Sequence, residues 1–469
     1  MTRRADLRLC AVTTTLVGLV HAARASAEPP ACDRPAILLN RFDEDYAFLR
    51  DPACRTDFWD AVKYLELAPE PLLYLSLGAD VRQRFEYVDD TDWGRGPDDG
   101  YLLQRYMAHA DLHLDAHVRA FVQLTSNVAT DRAGGPRPVD EDRLDLHQGF
   151  VDLNLEIPRL GPLTMRGGRQ EIDYESARLI SVREGANVRL SFDAVRLMQA
   201  AGDWRVDAFV AAPVETDPGV FDDGREPGQL LWGAYAFGPI IAEAFALDVF
   251  YFGFARRDAT FDQGTARESR HSFGVRGSGT LASVDYNLEL VYQLGSFGPG
   301  AIRAWMAASD TGYTIDNAPL RPRIGVQVNA TSGDHDPADP DLQTFNPLFP
   351  QASYFTDANL IGPINHIDVH PALGLYPDED IVLTLHYDAF WRESLADGLY
   401  QTSGVLIASG QGNPSRHVGS ELAVRLQWQA NRHAVVVATY SHFFAGPFLK
   451  DAGLGRDVDF FAFWLSYRI

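Results

Sequence analysis

Long apolar runs are missing from this chain of 469 residues. Beyond the N-terminus none approaches the roughly 20 residues that a membrane-spanning helix requires, which excludes a helical membrane protein. Lysine is nearly absent too: only Lys63 and Lys450 occur, so almost all of the 41 basic residues are arginine. Codon bias accounts for that preference slightly better than a demand for planar, bidentate carboxylate contacts. Positive charge is in deficit, with 64 acidic residues and a net charge of −23. A surface of that sign argues against nucleic acid as a partner, since phosphate binding needs a basic face. Catalytic signatures are missing as well: there is no GxSxG elbow, HExxH helix or P-loop. His271–Ser272 and Ser441–His442 are merely adjacent, and neighbours on a strand point to opposite faces. The expectation is a protein that is not an enzyme and carries no cofactor.

Cysteine is rare, and its placement matters. Residues 1–27 read as a secretory signal: Arg3, Arg4 and Arg8 form the basic start, Leu9 to Val20 the apolar stretch, and Ala25-Ser26-Ala27 the cleavage site. Neither Cys10 nor Cys32 follows the pattern of a lipoprotein signal, so no lipid anchor is expected. An exported chain enters an oxidising space, which predicts a Cys32–Cys54 disulfide in an N-terminal periplasmic segment, 28–73.

What the chain has in quantity is alternation. Hydrophobic residues reach 46% and aromatics 11%, yet mean hydropathy is only −0.17. The stretch HADLHLDAH shows why. His109, His113 and His117 recur every four residues, which on a helix would stack three metal ligands. Around them, however, Ala108, Ala110, Leu112, Leu114 and Ala116 occupy every second position, the repeat of a strand. The histidines belong to the polar face of a strand or hairpin, and no metal site is expected there.

From Tyr74 onward this pattern recurs in about 18 stretches, from 74–88 to 458–469. Two of them, 229–239 and 244–256, carry aromatics on both faces. Alternate connections are long: 89–100, 129–144, 171–189, 214–228, 257–269, 295–300, 333–365, 393–415 and 445–457. The others are mostly a few residues. A soluble sandwich has no reason to sort its loops by parity, whereas an outer-membrane barrel does. The fold expected is therefore all-β: a transmembrane antiparallel barrel over 74–469, with Tyr and Trp at strand ends forming interfacial girdles.

By the same parity, Arg82, Arg84, Arg105, Arg119, Arg205, Arg276, Arg323, Arg392 and Arg425 face the lumen. Asp80, Glu86, Asp111, Asp152, Asp207, Asp285, Glu289, Asp388 and Glu421 interleave with them. Two readings follow: mutually neutralised pairs that stiffen the wall, or a ladder that passes a polyanion along. The acidic loops DDTDWGRGPDDG (89–100) and SGDHDPADPDL (332–342) read as solvated charge, with divalent ions bridging to lipopolysaccharide as the functional alternative.

Several stretches carry a family resemblance. They include LLNRFDEDYAFLRDPACRTDFWD (38–60), DWGRGPDDGYLLQRYMAHADLHL (92–114), RLDLHQGFVDLNL (143–155), GGRQEIDYESARLISVREGANVRLSFDAVRL (167–197), VETDPGVFDD (214–223), the block 332–373 and SRHVGSELAVRLQWQANRHAVVVATYSHFFAG (415–446). Together they resemble the alginate export family of outer-membrane barrels. That resemblance implies an 18-stranded monomer with an arginine-rich pore for a polyuronate. Its block at 167–189 offers Arg169, Arg178, Arg183 and Arg189 as constriction candidates, on a long loop able to fold inward.

The leading expectation is an outer-membrane channel for anionic, uronate-type polysaccharide or oligosaccharide. Its partners would be the lipid bilayer, lipopolysaccharide, the glycan itself and periplasmic export components. The alternatives are an uptake porin for small anions and a structural or adhesin barrel plugged by its own loops, with 333–365 as a lid.

Overall fold

The structure is a computed structural model describing Cys32 and residues 34–469 except Glu70, Glu175 and Ala352; the leader at 1–27 lies outside the described residues. Eighteen antiparallel strands form one closed barrel: β1 (Leu72–Val88), β2 (Asp99–Leu114), β3 (Val118–Thr130), β4 (Asp142–Ile157), β5 (Gly161–Gln170), β6 (Phe192–Ala201), β7 (Trp204–Glu215), β8 (Gln229–Ile241), β9 (Phe245–Phe261), β10 (Gly264–Leu281), β11 (Val284–Phe297), β12 (Gly300–Thr314), β13 (Arg323–Thr331), β14 (His366–Asp378), β15 (Ile381–Arg392), β16 (His417–Asn431), β17 (Ala434–Ala445) and β18 (Val458–Arg468). Every strand pairs with its sequence neighbour. The seam closes through β1 and β18, in register from Asp80 opposite Arg468 to Val88 opposite Phe460. Below that seam β18 runs out. A short strand, Leu65–Pro69, pairs there with Leu72–Leu75 and covers the edge of β1 that would otherwise be bare.

The period of two sets both faces. On β1, Tyr74, Ser76, Asp80, Arg82, Arg84 and Glu86 are buried inside, while Phe85 and Tyr87 are exposed outside. Elsewhere Val151, Leu153, Val195, Val210, Leu288 and Leu290 are exposed on the outer wall. A continuous apolar belt of this kind is stable only against lipid. The stretch that raised the metal question is a hairpin. His109 stacks on Phe121 with ring centroids 5.3 Å apart, and His113 stacks on Tyr74 and meets Asp111 at 3.0 Å.

Two outer connections differ from expectation. The stretch expected as a loop at 257–269 instead continues β9 and β10, which pair as far as Phe261 opposite Gly264. Likewise β11 and β12 meet in a tight turn at Gly298, where φ is +55°. These strands run 14 to 18 residues, longer than the 9–11 that span a bilayer. Their upper parts stand clear of lipid, so both faces are free to be polar and the alternation fades.

Another departure lies inside. Sequence analysis left β8 and β9 with aromatics on both faces. The inner set, Tyr235, Phe250, Phe252 and Phe254, packs against Ile172, Tyr174, Phe345 and Phe349 of two loops that enter the barrel. The lumen is therefore mixed along β6–β12, where this apolar cluster lies among buried charged pairs such as Arg196–Asp207 and Arg276–Asp248.

Candidate functional site

Three segments enter the lumen, one from the end that carries the termini and two from the opposite end. The first is the N-terminal segment, expected to be periplasmic; its residues 38–44 lie within the barrel mouth. Phe42 meets Phe121 of β3 and Phe150 of β4 edge-on, at 6.1 and 5.6 Å between centroids. The Arg41 guanidinium pairs with Glu44 at 2.7 Å and donates to the main-chain oxygens of Ala79 and Ile469. Arg119 donates to the Phe42 carbonyl, and Arg189 to that of Leu39 at 3.4 Å. The structure joins Cys32 to Cys54, and Cys54 is buried with Tyr46, Leu49, Tyr64 and Tyr74.

The second segment is the connection 171–191 between β5 and β6. Glu184 is its hub, in contact with Arg105 and within 3.3 Å of Arg189, 3.5 Å of Arg468 and 4.0 Å of Arg82. Burial alone would raise its pKa, but these four guanidiniums hold it well below the usual carboxylate range. Arg82 and Arg84 also donate to the carbonyls of Glu184, Ala186 and Gly185. Farther along, Arg178 crosses to Glu289 of β11 at 2.9 Å. The third segment is the connection 332–365. It binds the second through backbone, with Ser181 N donating to Phe349 O at 3.0 Å and Phe349 N to Leu179 O at 2.8 Å.

Most lumenal arginines picked out by parity do face inward, each with a carboxylate. Arg119 holds Asp111, Arg205 holds Asp207, Arg276 holds Asp248, Arg323 holds Asp285 and Asp310, and Arg425 holds Asp357 of the third segment. Arg189 pairs with Glu171 at 2.9 Å. Two candidates sit elsewhere. Arg392 is sealed into the outer loops, donating to the carbonyls of Leu395, Asp397, Asn413 and Ser415. Arg169 belongs to β5, one position out of phase with buried Arg166 and Gln170, so it lies on the outer face and pairs with Asp193 at 2.9 Å.

Arg183 stands out. It sits at the tip of the second segment with φ +55°, 5.7 Å above the Phe349 ring, and among the described residues no carboxylate pairs with it. Burial lowers its pKa to about 10, which leaves it charged at neutral pH.

A cavity of about 140 Å³ lies between the N-terminal segment and β5–β8, lined by Phe42, Asp43, Arg166, Tyr174, Arg196, Arg205, Asp207, Tyr235 and Phe237. Arg166 pairs with Asp152, while Arg196 and Arg205 share Asp207. Asp43 is exposed to this space and pairs with no cation within 4.0 Å among the described residues. Burial within the lumen raises its pKa, opposed by the fields of Arg166, Arg205, Arg196 and Arg119. Sequence reasoning passed over Arg166 and Arg196. Their inward parity was readable; the entry of Phe42 and Asp43 was not, because that segment has no repeat.

Comparison with known proteins agrees on the architecture. The model of the alginate export family matches residues 73–461. No curated protein matches the chain in sequence. Among solved structures, it is similar to Pseudomonas aeruginosa OccK11 (OpdR), with 13% identity, TM-score 0.55, and coverage of 84% of this chain and 96% of that one. Acinetobacter baumannii OccAB1 gives 12% identity and TM-score 0.57 over 84% and 96%. Pseudomonas aeruginosa OccK2 (OpdF), solved in complex with glucuronate, gives 10% and 0.53 over 84% and 96%. At these identities the likeness is one of fold.

Proposed function

The chain belongs to the alginate export family, and from that premise we propose that it is a monomeric outer-membrane channel for anionic, uronate-type saccharides. The observation that carries the reading is Asp43. This carboxylate of the N-terminal segment projects into a cavity beside Arg166, Arg196 and Arg205, with aromatic rings from Tyr174, Tyr235 and Phe237 around it. Guanidinium groups recognise a carboxylate and aromatic faces recognise a sugar ring, so Asp43 stands where a uronate carboxylate would bind. The N-terminal segment is then a plug that occupies the path by imitating the cargo. Unpaired Arg183 supplies the next cationic step along the same lumen.

A second reading, uptake of small organic anions, is favoured by the cavity's size: about 140 Å³ suits a single ring better than a polymer. The solved relative that holds glucuronate points the same way for that protein.

Reversal potentials of the purified barrel in a planar bilayer under a KCl gradient test the proposal, read before and after uronate is added. Anion selectivity with block by oligouronate supports saccharide passage; block by the monomer alone supports small-anion uptake. Cation selectivity, or indifference to both, overturns the anionic reading.

A further inference from the structure

The outer rim above β4 carries a cluster that the channel does not use. Asp142 and Asp145 open β4, and Asp223 comes from the connection 216–228; one oxygen of each lies within 4.8 Å of the others. Acidic residues crowd many surfaces, so the crowding alone says little. The state of Asp142 says more. It is 0% exposed, and among the described residues neither carboxylate oxygen has a hydrogen-bond partner. Directly across the ladder from it on β3 is Asn127, also 0% exposed, whose side-chain carbonyl oxygen has no partner among the described residues either.

No counter-charge serves the group. Among the described residues none of the ion pairs involves Asp142, Asp145, Asp222 or Asp223; Arg169 acts on Asp223 only at a distance. A buried carboxylate with neither a cation nor a donor is severely penalised. Yet the neighbouring backbone is built to hold the acids close. Asp145 Oδ2 accepts from the main-chain N–H groups of Asp222 and Asp223, at 2.8 and 3.2 Å, and Phe221 N donates to Leu144 O at 2.9 Å. The connection is thus drawn onto β4 by hydrogen bonds that bring its carboxylates to Asp142.

We propose that Asp142, Asp145 and Asp223, with the Asn127 carbonyl oxygen, form a calcium site that ties the connection 216–228 to the rim. Calcium binds carboxylate and carbonyl oxygens at about 2.3–2.6 Å, so two ligands on opposite sides of one ion stand roughly 4.6–5.2 Å apart. Oxygens that all lie within 4.8 Å of one another can be bridged by one such ion. An all-oxygen site shared between a strand and a connecting segment suits calcium better than magnesium, which demands near-ideal octahedral geometry.

The test uses the full folded barrel in detergent, stripped with EDTA and titrated calorimetrically with CaCl2. Wild type is expected to bind with an affinity in the range of extracellular sites, about 0.1–1 mM. Asp142→Asn should weaken that binding at least tenfold, and Asp223→Asn, on the loop, serves where the first variant folds poorly. Half-buried Asp89 and Asp90 and exposed Asp98 also lie within 4.8 Å of one another, so Asp90→Asn is the control and should change nothing at the rim site. Heat-unfolding separates a metal site from a merely strained one. Asp142→Asn should melt above wild type in EDTA and lose the calcium-dependent rise. No calcium binding up to about 10 mM, binding of magnesium alone, or equal effects of Asp142→Asn and Asp90→Asn would each overturn the assignment.

Discussion

Arg41 donates from Nη2 to the main-chain oxygen of Ile469, 428 positions away in sequence. The bond ties the N-terminal segment to the strand that closes the barrel, next to Ala79 on the other side of the seam. Phe42 packs edge-on against the stacked pair Phe121 and Phe150. Removing a ring so enclosed costs about 3–5 kcal/mol, most of it felt by the docked state. Phe42→Ala is therefore expected to release the segment. Single-channel conductance should rise sharply while the barrel stays folded on semi-native gels; unchanged conductance would show that the segment does not obstruct the path.

The disulfide bears on the same step. Cys32 and Cys54 close a loop with a separation of 22 residues. A cross-link of that length limits the freedom of the released segment by about 3 kcal/mol at most. Reduction with a membrane-impermeant phosphine, or paired Ser substitution, should raise the open fraction. A conductance trace before and after reduction reads this directly.

Lys63 gives docking a pH dependence. Its ammonium is buried over the Tyr46 ring at 4.6 Å, without a hydrogen-bond partner among the described residues. Burial pushes its pKa down from 10.5 to about 7, assisted by Arg41 and Arg432 and opposed by Glu44 and Asp111. In the released segment the pKa returns toward 10.5, so between about 7 and 10.5 the released state binds more protons. Docking from this group consequently strengthens as pH rises through that window and weakens as it falls; below about 7 Lys63 adds no further change. Conductance should decline from pH 7 to pH 9.5, and Lys63→Met should flatten the profile at the low-conductance end.

Much of this architecture was legible because a closed barrel imposes one rule on every strand. With one face to lipid and one to the interior, Val81 and Arg82 must point apart, and the 18 strands follow. The rule fails where either condition lapses. Above the membrane β9 and β10 have no lipid face, so 257–269 looked like a loop. Inside, Phe252 stacks on both Phe250 and Tyr174, and inward aromatics of this kind blur the alternation of β8 and β9. The plug was illegible for a different reason: Phe42 is placed by contacts with Phe121 and Phe150, far along the chain, on a segment with no period. Arg169 shows the reverse. Its phase on β5 was readable, yet the resemblance to a loop block drew it into the pore.

Arg392 separates structural arginines from conducting ones. Its guanidinium satisfies four carbonyls in the connection 393–416 and stacks over Phe448 at 4.1 Å. Arg392→Ala would strand those carbonyls, at a cost of about 1–3 kcal/mol for each that water cannot reach. The expected result is a lower melting temperature and a looser 393–416 loop to protease, with the reversal potential unchanged.

Selectivity should depend instead on Arg183. Every other cation of the second segment is matched: Arg178 by Glu289 and Arg189 by Glu171. Paired charges cancel at the distance from which an ion approaches, whereas an unpaired one projects its field along the lumen, strengthened by the surrounding low dielectric. Arg183→Gln should therefore move the reversal potential toward zero and weaken block by uronate. Arg169→Gln, on the outer wall beside Asp193, should leave both unchanged. Equal effects from the two substitutions would mean that anion preference arises from the summed field of the barrel. A shift confined to Arg183→Gln would place it at the tip of one loop, beside Phe349.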